Sequence, residues 1–198
     1  MKFNKMIVAS SVLTVAFFLF SAINIYAQDT VDFDIWVGQW YKGAVVDNGL
    51  IVDNDGTSKT VEAVPTYGYV VSWDATNQQF FSLLIQYNNT TQEWMDAVPY
   101  VLKVIGGTPL DYASYSFIPP GSAPGIEFFA ISLNITGQVK NGILKEGTAK
   151  SIGGLVIYDN GDGSYFSAEE SLHVKVIPEW RVPEEIKAIK DAYLTSSE

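Results

Sequence analysis

The side chains of this sequence that could carry out acid–base chemistry begin with Glu170. The alternation of apolar and polar residues along 164–177 places Glu170 on the apolar face. A carboxylate in an apolar environment must be paired, hydrogen-bonded or protonated, so it could act as a general acid or anchor a ligand. A bulge that returns it to solvent is the competing interpretation. Glu146 and Lys150 have the even spacing that would let them face inward and pair with it, and Asp111 is a second candidate acid or base.

The other groups that could carry chemistry favour simpler interpretations. His173 is the single histidine, lies on the polar face of its segment, and is not part of a known nucleophile motif. The DNGDG segment at 159–163 is rich in oxygen ligands that suit calcium, but the residues after it have a β pattern, which favours a tight hairpin turn. We therefore assign no catalytic residue, no metal and no cofactor, and a non-enzymatic function is favoured.

Aromatic residues are unusually abundant in this chain, which contains 5 Trp, 11 Tyr and 11 Phe. Aromatic side chains from separate segments that converge in three dimensions, together with a few polar groups, would form a small-molecule pocket. The predicted ligand-binding residues are Trp36, Trp73, Trp94, Tyr112 and Glu170. The alternative is that the aromatic side chains simply pack the core.

The elements that must position these residues are predicted to be β-strands. From residue 30 to 178 the sequence is rich in Val, Ile, Tyr, Phe, Trp and Thr, in runs separated by turn residues. The runs predicted as strands are 33–46, 60–73, 79–88, 93–105, 112–118, 126–136, 141–158 and 164–177. The Gly153-Gly154 pair predicts a bulge in the longest run. A proline, two acidic residues and apolar spacing predict a helix at 183–194.

The connections between the runs favour antiparallel pairing of neighbours. Strong turn residues occur at 53–56, 88–89, 141–142 and 159–163. Alternation in several runs separates an apolar face from a polar face, which is typical of antiparallel sheets with one packed side. The irregular segment 118–125 is a candidate mouth or lid, with a plain surface loop as the alternative.

A short motif at the start of the first run carries a family resemblance. Residues 38–41, Gly-Gln-Trp-Tyr, resemble the Gly-X-Trp-Tyr motif in the first strand of lipocalins and of avidin-like proteins, which belong to the calycin group. The resemblance implies a closed antiparallel barrel with a ligand in its mouth. In that barrel Gly38 would bend the first strand, Trp40 would close the end, and Arg181 would stack on Trp40. The Asp-Tyr pair at 111–112 is similar to the mid-chain lipocalin signature, with leucine before it instead of threonine.

Together these patterns predict an all-β fold, in which an antiparallel meander closes into a roughly eight-stranded barrel with a short C-terminal α-helix. A β-sandwich or jelly roll is the alternative, because alternating strands and short turns fit both architectures. An outer-membrane barrel is disfavoured, because the chain ends in a charged helical segment and Thr-Ser-Ser-Glu instead of a closing strand.

The first residues predict the compartment in which the protein works. Residues 1–27 contain two lysines, an apolar run and a final alanine, and polar residues follow from Gln28, which is the pattern of a cleaved signal peptide. The predicted mature chain, 28–198, is a single domain exported to the periplasm or beyond. An uncleaved membrane anchor is the alternative. The sequence contains no cysteine, which excludes disulfides and thiolate metal sites.

The charge of the chain narrows the choice of partners. Removing residues 1–27 removes two lysines and no acidic residue, which leaves 10 basic and 22 acidic residues and a net charge of −12. That sign disfavours a nucleic-acid or anionic-membrane partner. The predicted function is binding of a small apolar or amphipathic ligand inside an exported barrel. The alternatives are an envelope structural or adhesion domain acting by surface contact, and a barrel-type cyclase or isomerase using Glu170 or Asp111.

Overall fold

The computed structural model describes residues 31–47, 50–53, 58–60, 63–118, 126–159 and 165–196. Within these residues the chain forms eleven strands, two 3₁₀ turns and one α-helix. The strands are β1 (Trp40–Asp47), β2 (Leu50–Asp53), β3 (Ser58–Thr60), β4 (Val64–Asp74), β5 (Gln79–Asn88), β6 (Glu93–Trp94), β7 (Val98–Thr108), β8 (Asp111–Ile118), β9 (Ile126–Lys140), β10 (Ile143–Asp159) and β11 (Tyr165–Ile177). The 3₁₀ turns are Phe33–Trp36 and Glu179–Arg181, and the helix is α1 (Glu184–Ser196).

Eight of these strands form a closed antiparallel barrel. The pairing order is β1, β4, β5, β7, β8, β9, β10 and β11, and β11 pairs back onto β1. Strands β2 and β3 lie between β1 and β4 in the chain; β2 pairs with β11, β3 pairs with β2, and β6 pairs with β5. The prediction of a closed meander with a short C-terminal helix is therefore confirmed, and the sandwich and jelly-roll alternatives are excluded.

Alternation of side chains along the strands separates the barrel interior from its outer face. In β9, Ile131, Leu133 and Ile135 are buried, whereas the residues between them, such as Ser132 and Asn134, are exposed. This is the pattern of a strand with one packed face and one solvated face. The apolar positions of the sequence thus point into the closed sheet.

Irregularities in β10 bend it around the barrel. Its pairing with β9 shifts register between Ser151 and Gly153, and its pairing with β11 shifts between Lys150 and Leu155. These shifts confirm the bulge predicted at Gly153-Gly154, and such bulges help a sheet to curl until it closes. Glu146 and Lys150 are exposed, so the prediction that they could face inward is wrong.

One turn that the sequence predicted is a two-residue hairpin between β9 and β10. Asn141 and Gly142 have φ angles of 55° and 71°, which are the positive values that a tight hairpin of this kind requires. The irregular loop at 118–125 and the turns at 53–56 and 159–163 fall largely outside the described residues. The first predicted strand starts later than expected, because residues 33–36 form a 3₁₀ turn and β1 begins at Trp40.

Buried side chains form two separate clusters. The first fills the barrel interior and includes Trp36, Phe80, Tyr112 and Leu133. The second lies outside the barrel, where helix α1 covers side chains of β1, β4 and β5; its buried members are Trp40, Tyr67, Leu83, Ile85, Ala97, Val182 and Ile186. Among the described residues, no helix is both long enough and apolar enough to cross a membrane.

Candidate ligand site in the barrel interior

One end of the barrel is closed by the indole of Trp36, which lies at the end of the first 3₁₀ turn. The turn is capped by Asp32, whose Oδ1 accepts a hydrogen bond from the backbone N–H of Phe33 at 2.6 Å. Trp36 is fully buried, with 0% of its surface exposed. Its Nε1 donates a 2.6 Å hydrogen bond to the carbonyl oxygen of Pro109, in the turn between β7 and β8. The indole is therefore buried with its polar group satisfied.

Two paired glycines make room for this indole. Gly137 of β9 and Gly147 of β10 are paired with each other on neighbouring strands. A Cβ atom at Gly137 would lie 2.8 Å from Cζ2 of Trp36, and one at Gly147 would lie 2.7 Å from Cζ3. Both distances are well below the ~3.5–4.0 Å of a normal carbon–carbon contact. The position of the indole therefore depends on the absence of a side chain at both residues.

An aromatic layer extends the closure around Trp36. Phe33 stacks on Trp73 with ring centroids 4.8 Å apart, and Trp73 contacts Phe80 at 4.5 Å. Tyr112 lies edge-on to both Phe33, at 5.3 Å, and Trp36, at 5.8 Å. The structure thus brings together three of the predicted ligand-binding residues, Trp36, Trp73 and Tyr112, at the closed end of the barrel.

Trp40 occupies a different position from the one implied by the family resemblance. Its neighbour Tyr41 faces the interior, so strand alternation turns Trp40 to the outer face. There it is 2% exposed, lies 4.9 Å from the ring of Tyr69, and has the ammonium of Lys190 from helix α1 5.7 Å above its ring. Trp36, four residues earlier, takes the interior position at the closed end.

The other two residues expected at the closure lie on the surface. Gly38 has a φ angle of 80°, a conformation in which only glycine is unstrained, and its N–H donates to the carbonyl of Val70 at 2.9 Å. It therefore makes the turn that leads from the 3₁₀ segment into β1. The guanidinium of Arg181 lies 4.7 Å over the ring of Trp180, which is 75% exposed, and the cation over Trp40 belongs to Lys190.

Next to the closed end the barrel contains a small internal cavity of about 30 Å³. Its lining is mostly apolar and includes Leu102, Leu133 and Val174. Tyrosines from three strands, Tyr41, Tyr100 and Tyr112, also line it. A volume of ~10–15 Å³ of this kind holds one water molecule, so this compartment can accept one small polar group.

Burial keeps the phenol groups of these tyrosines neutral. It raises the pKa of Tyr100 to about 12 and raises the pKa of Tyr41 and Tyr112 well above their usual value. Electrostatic repulsion between the phenolates raises the pKa further, from Tyr112 and Tyr100 at Tyr41 and from Tyr100 at Tyr112. A neutral phenol can both donate and accept a hydrogen bond. The compartment therefore offers hydrogen bonding without charge.

Two serine hydroxyls in the same interior have no hydrogen-bond partner among the described residues. Ser82 is 2% exposed and Ser114 is 0% exposed, and neither Oγ is within hydrogen-bonding geometry of a partner. Ser82 lines the small cavity and lies opposite Tyr100 in the β5–β7 pairing. It is close enough to offset part of the rise in the pKa of Tyr100 without meeting the geometry of a hydrogen bond. Unsatisfied hydroxyls are unusual in a protein interior. Ser82, which lines the cavity, has the capacity to bind a ligand group, whereas Ser114 lines neither compartment.

A larger compartment of about 140 Å³ lies further along the barrel. The two compartments share four lining residues, so they lie next to each other inside the barrel; the shared residues are Leu84, Tyr100, Leu133 and Leu172. The larger one is also lined by Phe129, Ile131 and Val156, with Gln86 as a polar exception. None of the described residues lining either compartment is charged. The interior thus forms a mainly apolar space, and the residues with hydroxyl groups that line it belong mainly to the smaller compartment.

The remaining predicted residues are not brought into this interior. Trp94 lies in β6 on the outer side of the barrel, where its ring contacts Tyr67 at 5.3 Å and Tyr87 at 5.2 Å. Asp111 is exposed, as is His173. Trp94, Asp111 and His173 therefore all lie away from the cavity walls.

The backbone of Glu170 pairs with Asp47 in the seam between β11 and β1, and its side chain lies outside the described residues. Among the described residues, no group of three or more His, Asp or Glu side chains is placed to hold a metal ion.

Sequence reasoning did not identify Tyr41, Tyr100 or Ser82 as part of the site. A signal for each was present in strand alternation. Tyr100 shares a strand face with Leu102, Ser82 shares one with Phe80, and Tyr41 directly follows the residue taken for the closure. Alternation gives the face of a strand, but only the register between strands shows which residues meet.

Comparison with known proteins adds no family assignment. A scan against protein-family models finds no model that matches the chain, and a search of curated proteins finds no match. The closed eight-stranded antiparallel barrel is compatible with the calycin-like architecture that the resemblance of the Gly-X-Trp-Tyr motif implies. The function must therefore be argued from the interior of the barrel itself.

Proposed function

We propose that this protein is exported and binds a small apolar or amphipathic molecule inside its β-barrel. The observation that carries the proposal is the pair of adjacent, mainly apolar compartments, of which the smaller is lined by Ser82, a buried residue whose hydroxyl has no partner among the described residues. Concave apolar sites with a few converging polar groups are the usual form of small-molecule sites. Export is supported by the signal-peptide pattern of residues 1–27.

The size of the interior limits the ligand. The larger compartment has a volume of about 140 Å³ and the smaller of about 30 Å³. An apolar cavity of ~150 Å³ is large enough to bind benzene, whereas pockets for drug-sized ligands measure ~300–1,000 Å³. The ligand is therefore expected to have one ring or a short chain, and retinoids and sterols are expected to be too large for this conformation.

Toluene is a suitable first probe of the proposed site. Titration should give a saturable change in tryptophan fluorescence, because the indole of Trp36 contacts two tyrosines that line the cavity. Its ring centroid lies 6.3 Å from that of Tyr41 and 5.8 Å from that of Tyr112. A thermal scan should show a melting temperature that rises with the toluene concentration, as expected for a ligand that binds only the folded state.

A matched pair of variants separates interior binding from surface adsorption. Leu84→Phe adds volume where the two compartments meet and should weaken toluene binding at least tenfold. Val101→Phe makes a comparable change at a residue that is 40% exposed on the outer face and should leave binding unchanged. Toluene binding that is absent, or that is equally strong in both variants, would contradict the proposed function.

A second candidate function, contact with another macromolecule, is supported by the outer face of β7, β8 and β10. Val101, Phe117 and Leu155 are 40%, 49% and 43% exposed on that face. Phe117 pairs with Ala130 of β9, which pairs in turn with Leu155, so these two exposed side chains lie in a row across β8, β9 and β10. Exposed apolar side chains in a row are typical of interaction surfaces. Sedimentation of the purified chain tests whether this face self-associates, and Phe117→Ser should abolish any association.

A further inference from the structure

The polar groups that line the interior are uncharged, whereas the outer surface carries charged side chains. The described residues that line the two compartments include hydroxyl and amide groups but no lysine, arginine, histidine, aspartate or glutamate. The described basic residues of the strands, such as Lys103, Lys150 and Lys175, are exposed. An anionic ligand group placed in the interior would thus lose its hydration without gaining a cation.

Residues that carry hydroxyl groups line mainly the smaller compartment, although most of its wall is apolar. Tyr41, Tyr100, Tyr112 and Ser82 all line it, and together they come from four different strands. Each of these groups can donate one hydrogen bond and accept another. A neutral hydroxyl or carbonyl group can therefore be satisfied there, and it would also provide the partner that Ser82 lacks.

We propose that the barrel selects neutral ligands that carry one hydrogen-bonding group, an alcohol or a carbonyl compound, and rejects the corresponding carboxylates. The polar group occupies the 30 Å³ compartment among Tyr41, Tyr100, Tyr112 and Ser82, and the apolar body occupies the 140 Å³ compartment. This inference depends on the proposed function, because it specifies the ligand class of the same site.

The test compares three probes that share one ring and differ only in the group attached to it: toluene, benzyl alcohol and benzoate. Their dissociation constants are measured for the full chain at pH 7 by calorimetry or by tryptophan fluorescence. Benzyl alcohol is expected to bind about 2- to 10-fold more tightly than toluene, which is the effect of one net hydrogen bond. Benzoate is expected to bind at least tenfold more weakly than benzyl alcohol.

Two interior variants and one surface variant assign the preference to the hydroxyl groups. Tyr100→Phe should reduce the preference for benzyl alcohol over toluene, measured as the ratio of the two dissociation constants of that variant, to nearly one. Ser82→Ala should reduce the preference in the same direction, and it retains the ring of Tyr100 if the first variant folds poorly. Tyr115→Phe, at a residue 37% exposed on the outer face, is the matched control and should bind all three probes like the parent.

The outcomes separate the two proposals. If none of the three probes shows saturable binding, the proposed function itself fails, and the inference fails with it. If toluene binds but benzoate binds as tightly as benzyl alcohol, the site stands and the selection of neutral ligands is overturned. The same conclusion follows if the preference for benzyl alcohol persists unchanged in both Tyr100→Phe and Ser82→Ala.

Discussion

Substitution of Gly147 by alanine tests whether the indole of Trp36 closes the barrel as described. The new Cβ would lie 2.7 Å from Cζ3 of Trp36 and 2.7 Å from Cγ2 of Val176. The indole cannot move away freely, because its Nε1 is hydrogen-bonded to the carbonyl of Pro109. Overpacking of this kind lowers the free energy of unfolding by about 1–3 kcal/mol. Alanine also restricts the unfolded chain, which offsets about 0.4–1 kcal/mol, so the expected net loss is about 1–2 kcal/mol.

The assay is urea unfolding followed by tryptophan fluorescence and far-UV circular dichroism. For a slope of about 2 kcal/mol/M, in the middle of the usual range for urea, the expected loss lowers the midpoint by roughly 0.5–1 M. Gly153→Ala, in the same strand, is the matched control because a Cβ there meets nothing within 4 Å. The control should keep the parent stability within about 0.5 kcal/mol or raise it by up to about 1 kcal/mol.

A double-mutant cycle with Trp36→Phe makes the test specific. Phenylalanine is too short to reach the positions of Cζ3 and Cη2 that crowd a Cβ at Gly147. In the Trp36→Phe background, Gly147→Ala should therefore change stability by less than about 0.5 kcal/mol, with a coupling energy of about 1 kcal/mol or more. Equal losses in both backgrounds, or a Gly147→Ala effect as small as that of Gly153→Ala, would refute this account of the closure.

Further predictions concern the helix, the buried tyrosines and an unpaired serine. Lys190→Ala should lower the free energy of unfolding by about 0.5–1 kcal/mol, because the ammonium of Lys190 lies over the ring of Trp40. Thermal unfolding of both variants should show a smaller loss for Arg181→Ala, because the guanidinium of Arg181 lies over an exposed ring. Burial raises the pKa of Tyr100 to about 12, so the unfolded chain loses this proton first as pH rises. The free energy of unfolding should be constant just below pH 10 and should fall between about pH 10 and 12, by about 1.4 kcal/mol per pH unit for each such tyrosine. In urea unfolding measured across that pH range, Tyr100→Phe should show a fall that is smaller by the contribution of one tyrosine. Ser114→Ala removes a fully buried hydroxyl that has no partner among the described residues. The free energy of unfolding, measured in urea, should therefore rise by about 1 kcal/mol. A decrease in the free energy of unfolding would instead show that the hydroxyl is hydrogen-bonded.

Much of the fold could be predicted because its signals are local. Alternation placed most of the strands, and the Asn141-Gly142 pair marked a hairpin whose backbone has the expected positive φ angles. Closure of the barrel could not be deduced in this way. It depends on pairing between β1 and β11, and a sandwich with the same strands would have the same local patterns.

Of the residues predicted to bind a ligand, only Tyr112 is among the described residues that line the two compartments, because the rest of the lining depends on three-dimensional register. Trp36, Trp73 and Tyr112 were named from their aromatic character, and all three meet at the closed end. Trp94 has the same character but lies outside the barrel beside Tyr67. The motif resemblance placed the closing indole at Trp40, because it could not show that residues 33–36 leave the strand and carry an earlier tryptophan inside.

The seam between β1 and β11 joins opposite ends of the domain, since Trp40 pairs with Ile177. A chain synthesised or translocated only as far as β10 would have two unpaired edges and an interior open to water, and unpaired edges of this kind recruit other strands. The native barrel therefore cannot form until β11 is available to pair with β1. Because these two strands are far apart in the sequence, their pairing is expected to be slow. A truncation before Tyr165 should accordingly yield aggregates instead of a smaller soluble barrel.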